Sequence, residues 1–224
     1  AIGEYGQLRP RFYRLKALHT FASNYSDFLC RLVTVLPEGA EDIKPEDIET
    51  LRYSVRTDGK SGFVFLNNYQ DHVTCKDKEG ERICLETKDG KIEISEISLA
   101  AGEEAILPFG LDVEGIRLVY AKAQPLSIVR ENGKTVYFFF VPDGMNAEYA
   151  WDGKTVNALN GRETQEEEIR IVPEKGKMSS YTISGKYGDV EIVTLTREQS
   201  LQFYEIQREG KKTTVLCNVP FMYD

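Results

Sequence analysis

The sequence has no long apolar run and no excess of positive charge, and each absence excludes a class of protein. No stretch approaches the about 20 consecutive apolar residues that a helix needs to cross a bilayer. The 28 Lys and Arg against 36 Asp and Glu give a formal net charge of −8. Nucleic-acid binding needs clustered cations that displace counterions from phosphates. We therefore expect no membrane span and no nucleic-acid partner.

Histidine is also scarce, which limits the metal and catalytic sites that the chain can form. The two histidines, His19 and His72, lie far from any recognisable serine or cysteine nucleophile motif, so we expect them to be structural. The tips Gly133-Lys134 and Gly153-Lys154 resemble the end of a phosphate-binding loop but lack the glycine five residues earlier and are followed by strand patterns. We expect no catalytic, cofactor-binding or metal-binding residue in this chain.

The four cysteines show neither a disulfide framework nor a C-x-x-C pair. Cys30, Cys75, Cys84 and Cys217 are widely spaced, and a core of this size needs no covalent support, so free buried thiols are expected. A bridge between Cys75 and Cys84, across a hairpin at Glu79-Gly80, is the alternative if the chain passes through an oxidising compartment.

What the chain does have is a regular series of turn dipeptides between short β-type runs. The turns include Asp58-Gly59, Glu79-Gly80, Asp89-Gly90, Asn132-Gly133, Asp152-Gly153, Asn160-Gly161 and Glu209-Gly210. Such pairs supply the positive φ angles that hairpin turns require. The first run of predicted strands is LRYSVR, GFVFLNN, HVTC, ERICLET, KIEIS, IRLVYAKA, TVYFFFV and AEYAW; the second is EIRIV, SYTIS, VEIVTL, FYEIQ and TTVLC. TVYFFFV is apolar on both faces, which predicts a strand covered on both sides.

One amphipathic helix is predicted before the strands. Pro10 suits a first helical turn, and an apolar stripe follows at three- to four-residue spacing over 10–32: Phe12, Leu15, Leu18, Ala22, Tyr25, Leu29 and Leu32. A Pro- and acid-rich linker follows this helix. The predicted fold is all-β: a helical segment over 1–34, then antiparallel β-sandwich structure over 35–224 with a possible seam near 152–165. The Thr196 to Gln199 spacing predicts a short helix near 196–203.

Acidic and aromatic residues are the remaining candidates for a site. Glu103-Glu104 and Glu166 to Glu168 are adjacent charges, which are typical of solvated faces. Trp151 and Tyr149 could stack on sugar rings if they are exposed, or could be cross-strand packing partners if they are buried.

The opening IGEYGQLRPRFYRLKALHTF, over residues 2–21, resembles the last barrel loop and final helix of the family 35 glycoside hydrolases, the β-galactosidases. The match is carried by Ile2, Glu4, Gly6, Pro10, Tyr13 and Leu15, while Ala1 stands where the family has proline. LRYSVRTDGKSGFVFLNNYQ, AILPFGLDVEGIRLVYAKAQPL and FFFVPDGMNAEYAWDG are similar to the β domain that follows the barrel. The resemblance covers most of residues 1–152 and is weaker beyond.

This resemblance implies a non-catalytic β-sandwich region of a retaining β-galactosidase, which braces the barrel and shapes its cleft. The family's two catalytic glutamates would lie on barrel strands upstream of Ala1, so this chain is expected to be inactive and to meet galactose-containing carbohydrate only through the parent enzyme. A secreted or periplasmic parent is the expectation. The alternative is a free-standing carbohydrate-binding or interaction module. A helix stripe without its barrel also predicts a dimer through the N-terminal helix.

Overall fold

The computed structural model describes residues 2–218, and the predicted all-β sandwich with a helix in front is confirmed. The helices in this range are α1 (Pro10–Asn24), α2 (Ser26–Leu29) and α3 (Arg197–Gln202), with 3₁₀ turns at Ala40–Asp42 and Gly153–Thr155. The strands are β1 (Val33–Val35), β2 (Arg52–Thr57), β3 (Gly62–Asn67), β4 (Lys78–Thr87), β5 (Gly90–Leu99), β6 (Glu104–Val113), β7 (Ile116–Ala121), β8 (Gln124–Glu131), β9 (Lys134–Phe140), β10 (Tyr149–Asp152), β11 (Ala158–Leu159), β12 (Arg162–Glu163), β13 (Glu168–Ile171), β14 (Ser179–Gly185), β15 (Gly188–Leu195), β16 (Phe203–Arg208) and β17 (Lys211–Leu216).

Two large sheets form the sandwich. One has seven strands in the order β1-β2-β3-β6-β7-β10-β13, and the other has six in the order β12-β11-β14-β15-β9-β8. Hairpins β4–β5 and β16–β17 stand apart from both sheets. The strand pairs are antiparallel except that β9 and β15 run parallel, which a purely antiparallel expectation did not include. The segment 152–165 crosses from the seven-stranded to the six-stranded sheet, and one core holds residues from both sides of it.

Three apolar clusters give the molecule its layers. The central cluster fills the space between the two sheets, with Phe139, Trp151 and Ile192 among its fully buried members. A second cluster joins the outer face of the seven-stranded sheet to the β4–β5 hairpin. A third covers the outer face of the six-stranded sheet with Ala17 of α1 and Phe203 of β16. The prediction that TVYFFFV is covered on both faces is confirmed, because β9 contributes to the first and the third cluster.

The turn chemistry agrees with most of the predicted hairpins. Asn132-Gly133 and Asn160-Gly161 have positive φ at both residues, as a type I′ turn requires. Glu79-Gly80 does not form a hairpin: it lies inside β4, where the pairing with β5 shifts register, and the chain turns instead at Lys88-Asp89, directly before Gly90 begins β5. Asp152-Gly153 opens a 3₁₀ turn, and its glycine is needed because a Cβ there would overlap the carbonyl oxygen of Glu166.

Two strand predictions and the length of the N-terminal helix need correction. HVTC is not a strand: His72 has a φ of 63°, and this exposed segment makes no sheet pairing. Strands β6 and β8 were missing from the predicted runs, since Pro108 and Pro125 lie within them. The helix predicted over 10–32 ends at Asn24, because the Asn24 side chain bonds back to the carbonyl of Thr20 and Tyr25 leaves helical geometry.

The buried face of α1 also differs from the predicted stripe. Ala17, Phe21 and Tyr25 face the core, where the rings of Phe21 and Tyr25 meet Phe63 edge to face at 5.1 and 5.6 Å. Of the predicted stripe, Tyr25 and Leu32 are buried, whereas Leu15 and Leu18 are exposed. The short helix predicted near 196–203 is confirmed as α3, with Thr196 and Gln199 forming the capping box.

Candidate functional site

The two aromatic residues proposed for sugar stacking lie inside the sandwich. Trp151 and Tyr149 are both 0% exposed. The Trp151 indole donates a hydrogen bond to the Tyr181 hydroxyl at 3.0 Å, and the Tyr149 hydroxyl bonds to Thr194 at 2.8 Å. Both rings are therefore packing partners between the sheets, and the idea of an exposed stacking platform at these two residues is wrong.

The acidic pair Glu103-Glu104 was expected on a solvated face, but only one of the two carboxylates is there. Glu103 is 1% exposed and is held by a bidentate contact from Arg197, with nitrogen–oxygen distances of 3.0 and 2.9 Å. Glu104 is exposed, and its pKa is raised by partial burial and then by the neighbouring charge of Glu103. The run from Glu166 to Glu168 is exposed throughout, as expected.

Cysteine and histidine side chains are more exposed than the sequence suggested. All four cysteines are free; Cys30 and Cys84 are exposed, while Cys75 and Cys217 are intermediate, so the prediction that they are buried is wrong. No Cys75–Cys84 bridge exists, because Cys84 lies opposite Glu93 in the hairpin. His19 and His72 are exposed as well. Among residues 2–218, no group of three or more His, Cys, Asp or Glu side chains is placed to hold a metal ion.

The most distinctive surface lies on the side of α1 that faces away from the core. Leu15 and Leu18 are 38% and 43% exposed, and Phe12 and Ala22 beside them are half-buried. Relative to Phe21, a rotation of about 100° per residue puts Phe12 on the opposite side of the helix, Leu15 and Ala22 about 100–120° around it, and Leu18 only about 60° away, at the border of the buried face. We call Phe12, Leu15, Leu18 and Ala22 the outer surface of α1. A contiguous apolar surface on a helix is usually covered by a partner.

A hollow lies on each side of this outer surface. On one side, a cavity of about 400 Å³ is lined by Arg11, Arg14, Leu18, Tyr69 and Glu104, together with other residues. On the other side, a cavity of about 670 Å³ is lined in part by Phe12, Lys16, His19, Tyr204 and Glu205. Leu15 borders both cavities, so the helix stands as a ridge between two grooves.

The second groove contains a lysine in an unusual environment. The Lys16 ammonium lies 3.3 Å from the centre of the Tyr204 ring and donates a hydrogen bond to the Leu201 carbonyl at 2.8 Å. Burial lowers the pKa of Lys16 to about 8. This group is therefore partly deprotonated under mildly basic conditions, in contrast to an ordinary surface lysine.

The helix is fixed to the sandwich by a polar network at its C-terminal end. The side-chain oxygen of Asn24 accepts hydrogen bonds from the Ile128 amide at 2.9 Å and from Lys212 at 2.7 Å, and its amide donates to Glu205 at 2.7 Å. Ser127 also donates to Glu205. Because β8 is the edge strand of the six-stranded sheet, the backbone N–H of Ile128 has no strand partner on that side, and Asn24 accepts its hydrogen bond instead. The ridge is thus held rigidly, with its buried face on the core and its outer surface outward.

A second buried polar cluster lies on the outer face of the seven-stranded sheet. Tyr120 donates a hydrogen bond to Glu148, whose carboxylate also faces Lys122 at 3.6 Å and Arg170 at 3.4 Å. Burial, followed by the bond to Glu148, raises the pKa of Tyr120. In this cluster, Tyr120 lies in β7 and Arg170 in β13, while Lys122 directly follows β7 and Glu148 directly precedes β10, so the contacts link neighbouring strands. A structural role explains all of these contacts.

Sequence reasoning missed Arg14 and Lys16 as site residues. The signal that could have found them is their place in PRFYRLKAL, where basic residues flank the apolar positions of the helix.

No helix within residues 2–218 has the length and hydropathy that crossing a bilayer requires. A scan against models of known protein families gives no match to this chain, and a search of curated proteins gives none either.

Proposed function

We propose that this chain is the non-catalytic β-sandwich region of a β-galactosidase-like retaining glycoside hydrolase, and that the outer surface of α1 is where the catalytic barrel rests. The observation that carries the proposal is the position of this surface. Its uncovered apolar residues, Leu15 among them, lie in the same segment, residues 2–21, that resembles the final barrel helix of family 35.

The two grooves beside α1 support the same proposal. In a (β/α)₈ barrel, each outer helix packs on the strands and has a neighbouring helix on either side. A helix removed from that setting would present an apolar face with a groove along each flank. This is the arrangement of Leu15 between the two cavities.

The chemistry of the surface favours support over catalysis. Glycoside hydrolysis by the retaining route needs two carboxyl groups about 5 Å apart, both open to substrate. Glu103 is buried and is bonded to Arg197 through both of its oxygens. The Glu103-Glu104 pair therefore offers one open carboxylate, and we assign Glu103 a structural role.

The first test is turnover of a chromogenic β-galactoside by the purified chain. We expect none above the uncatalysed rate. Turnover that disappears when any glutamate within residues 1–224 is changed to glutamine would refute the support role.

The second test uses the complete enzyme that the proposal implies. Leu15→Asp with Leu18→Asp should lower both its activity and its melting temperature, since the charges would lie in the barrel contact. The same changes should leave the melting temperature of the isolated chain nearly unchanged at concentrations where that chain is monomeric, because both side chains are partly exposed there. Val172→Asp is the matched control, since Val172 is 69% exposed and lies away from α1. Equal effects of the control and the double variant in the complete enzyme would contradict the proposed interface.

A further inference from the structure

The smaller groove beside α1, the cavity of about 400 Å³, is lined by two polar side chains that are themselves buried. Gln124, at the start of β8, is 5% exposed, and Arg197, at the start of α3, is 8% exposed. Polar groups this deeply buried are almost always hydrogen-bonded in folded proteins. The bonds that these two side chains make therefore indicate whether the chain completes the cavity by itself.

Each of the two side chains has a donor group without a partner. The Gln124 side-chain oxygen accepts a hydrogen bond from the Ile106 amide at 3.0 Å, so its NH₂ group points elsewhere. Arg197 uses Nε and Nη2 on Glu103, which leaves Nη1. Within residues 2–218, the Gln124 Nε2 and the Arg197 Nη1 have no hydrogen-bond partner, and neither is a fully enclosed atom. Both nitrogens therefore have surface in the cavity that their residues line, where an entering acceptor can reach them.

The other polar groups of the cavity add further donors rather than acceptors. Within residues 2–218, Arg11 forms no hydrogen bond or ion pair, and Arg14 contacts carboxylates only at a long 3.5 Å. The Asn67 amide is used in both directions by the backbone of Tyr69. Glu104 supplies the one carboxylate among the described lining residues. The unused bonding capacity of the cavity is therefore almost entirely that of donors, which favours a ligand rich in acceptors.

The charges at the cavity select the kind of acceptor. Arg11, Arg14 and Arg197 bring three positive charges, while Glu104 in the lining and Glu103 behind Arg197 bring two negative ones. One carboxylate from outside the chain balances this surplus, and hydrogen bonds to a carboxylate are stronger than those to a neutral acceptor. We propose that the cavity binds the carboxylate group of a small organic acid.

The walls of the cavity indicate what carries this carboxylate. They include the apolar side chains of Leu15, Leu18, Ile106 and Phe140, which suit a short apolar body. The volume of about 400 Å³ lies in the lower part of the range for ligand pockets, about 300–1,000 Å³. A neutral sugar fits less well, because its hydroxyl groups need acceptors from the protein as well as donors.

The test is an NMR titration of the purified chain, at a concentration where it is monomeric. The probes are phenylacetate and butyrate, with phenylacetamide as the neutral analogue and phenethylamine as the cationic one. The methyl signals of Leu18 and Ile106 report binding because both residues line the cavity, and those of Val172 serve as the reference outside it. We expect saturable shifts with at least one acid, and phenylacetate binding at least about fivefold tighter than its amide. No saturation with either acid at millimolar concentrations, or an amide or amine that binds as tightly, would overturn the proposal.

Three variants locate the binding. Gln124→Glu keeps an acceptor for the Ile106 amide but replaces the NH₂ donor, and it should weaken phenylacetate binding by about tenfold or more. Arg14→Gln changes a side chain that is 42% exposed, so the fold tolerates it, and it should weaken binding by about two- to fivefold. Glu104→Gln removes a like charge and should strengthen binding by a similar factor, without the same gain for the amide.

Glu168→Gln is the matched control for these variants, since Glu168 is exposed and outside the cavity. If Gln124→Glu does not fold, Arg14→Gln and Glu104→Gln decide. Unchanged affinity in Arg14→Gln, weaker acid binding in Glu104→Gln, or a loss in the control equal to that in Arg14→Gln would refute the site.

The same carboxylate chemistry has two natural sources, a free acid or an acidic side chain of the proposed barrel. Titration of the complete enzyme distinguishes them: retained phenylacetate binding indicates a free acid, whereas binding lost only there indicates that the barrel fills the cavity. The isolated chain binds the free acid in either case. Failure of the barrel contact therefore leaves this site intact, and failure of the titration leaves the barrel contact to its own test.

Discussion

Changing Glu103 to glutamine should destabilise the protein far more than an ordinary surface substitution. The Glu103 side chain is 2% exposed and that of Arg197 9%, and two hydrogen bonds of 3.0 and 2.9 Å join them. The glutamine keeps the shape but removes the charge, so the Arg197 guanidinium stays buried with only Glu104 nearby, at 3.7 Å. Breaking a buried pair on one side costs about 3–5 kcal/mol.

We expect a loss near the lower end, about 3 kcal/mol, because Glu104 still compensates part of the Arg197 charge. For a chain of this length, that corresponds to a fall in melting temperature of roughly 6–12 °C. Urea unfolding followed by circular dichroism measures the first quantity, and a thermal scan measures the second.

A matched control and a paired replacement separate the charge effect from other causes. Glu168→Gln removes a carboxylate from the exposed pair with Arg170, which should cost less than about 1 kcal/mol. Replacing both partners, Glu103→Leu with Arg197→Met, should cost less than Glu103→Gln alone, because no unpaired charge remains. If Glu103→Gln costs no more than the control, or if the paired replacement equals the sum of its single changes, the ion pair does not stabilise the fold as argued.

Three further outcomes are expected. Glu104→Gln should remove part of the pH dependence of stability: because the folded-state pKa of Glu104 is raised, its contribution is complete at low pH and is lost as the pH rises through that pKa. The free energy of unfolding, measured with urea between about pH 4 and 8, should therefore rise in the variant relative to the wild type as the pH rises. A difference that stays constant over this range would contradict a raised pKa of Glu104. Ellman's reagent should label Cys30 and Cys84 quickly in the native protein and all four thiols after denaturation; only two thiols after denaturation would reveal a disulfide. The isolated chain should self-associate through the outer surface of α1, and Leu15→Ser with Leu18→Ser should make it monomeric in sedimentation; a wild type that stays monomeric at high micromolar concentration would exclude this contact.

Local features of the fold could be predicted well from the sequence. The type I′ turn at Asn132-Gly133 and the capping box at Thr196 each depend on a few neighbouring residues, and both are present. TVYFFFV was recognisable as doubly covered because both of its faces are apolar. The hairpin turn predicted at Glu79-Gly80 was wrong because a glycine with positive φ occurs in β-bulges as well as in turns. Only the pairing with the partner strand β5 distinguishes the two.

Exposure of individual side chains was harder to predict because distant partners determine it. Trp151 is buried because the six-stranded sheet covers it, and that sheet is formed largely by later residues. Glu103 is buried because Arg197 reaches it from α3, 94 residues further along the chain. Neither periodicity nor composition carries information about such pairings.

The parallel pair of β9 and β15 dictates an order of assembly. Val190 of β15 lies opposite Thr135 of β9, so one side of β9 has no strand partner until roughly 55 more residues have been synthesised. The seven-stranded sheet ends with β13 and can form before that point. During this interval on the ribosome, β9 presents an open edge and the aromatic face of Phe138 and Phe140 to solvent. We therefore expect a nascent chain arrested before β15 to bind chaperones and, once released, to aggregate through that open edge.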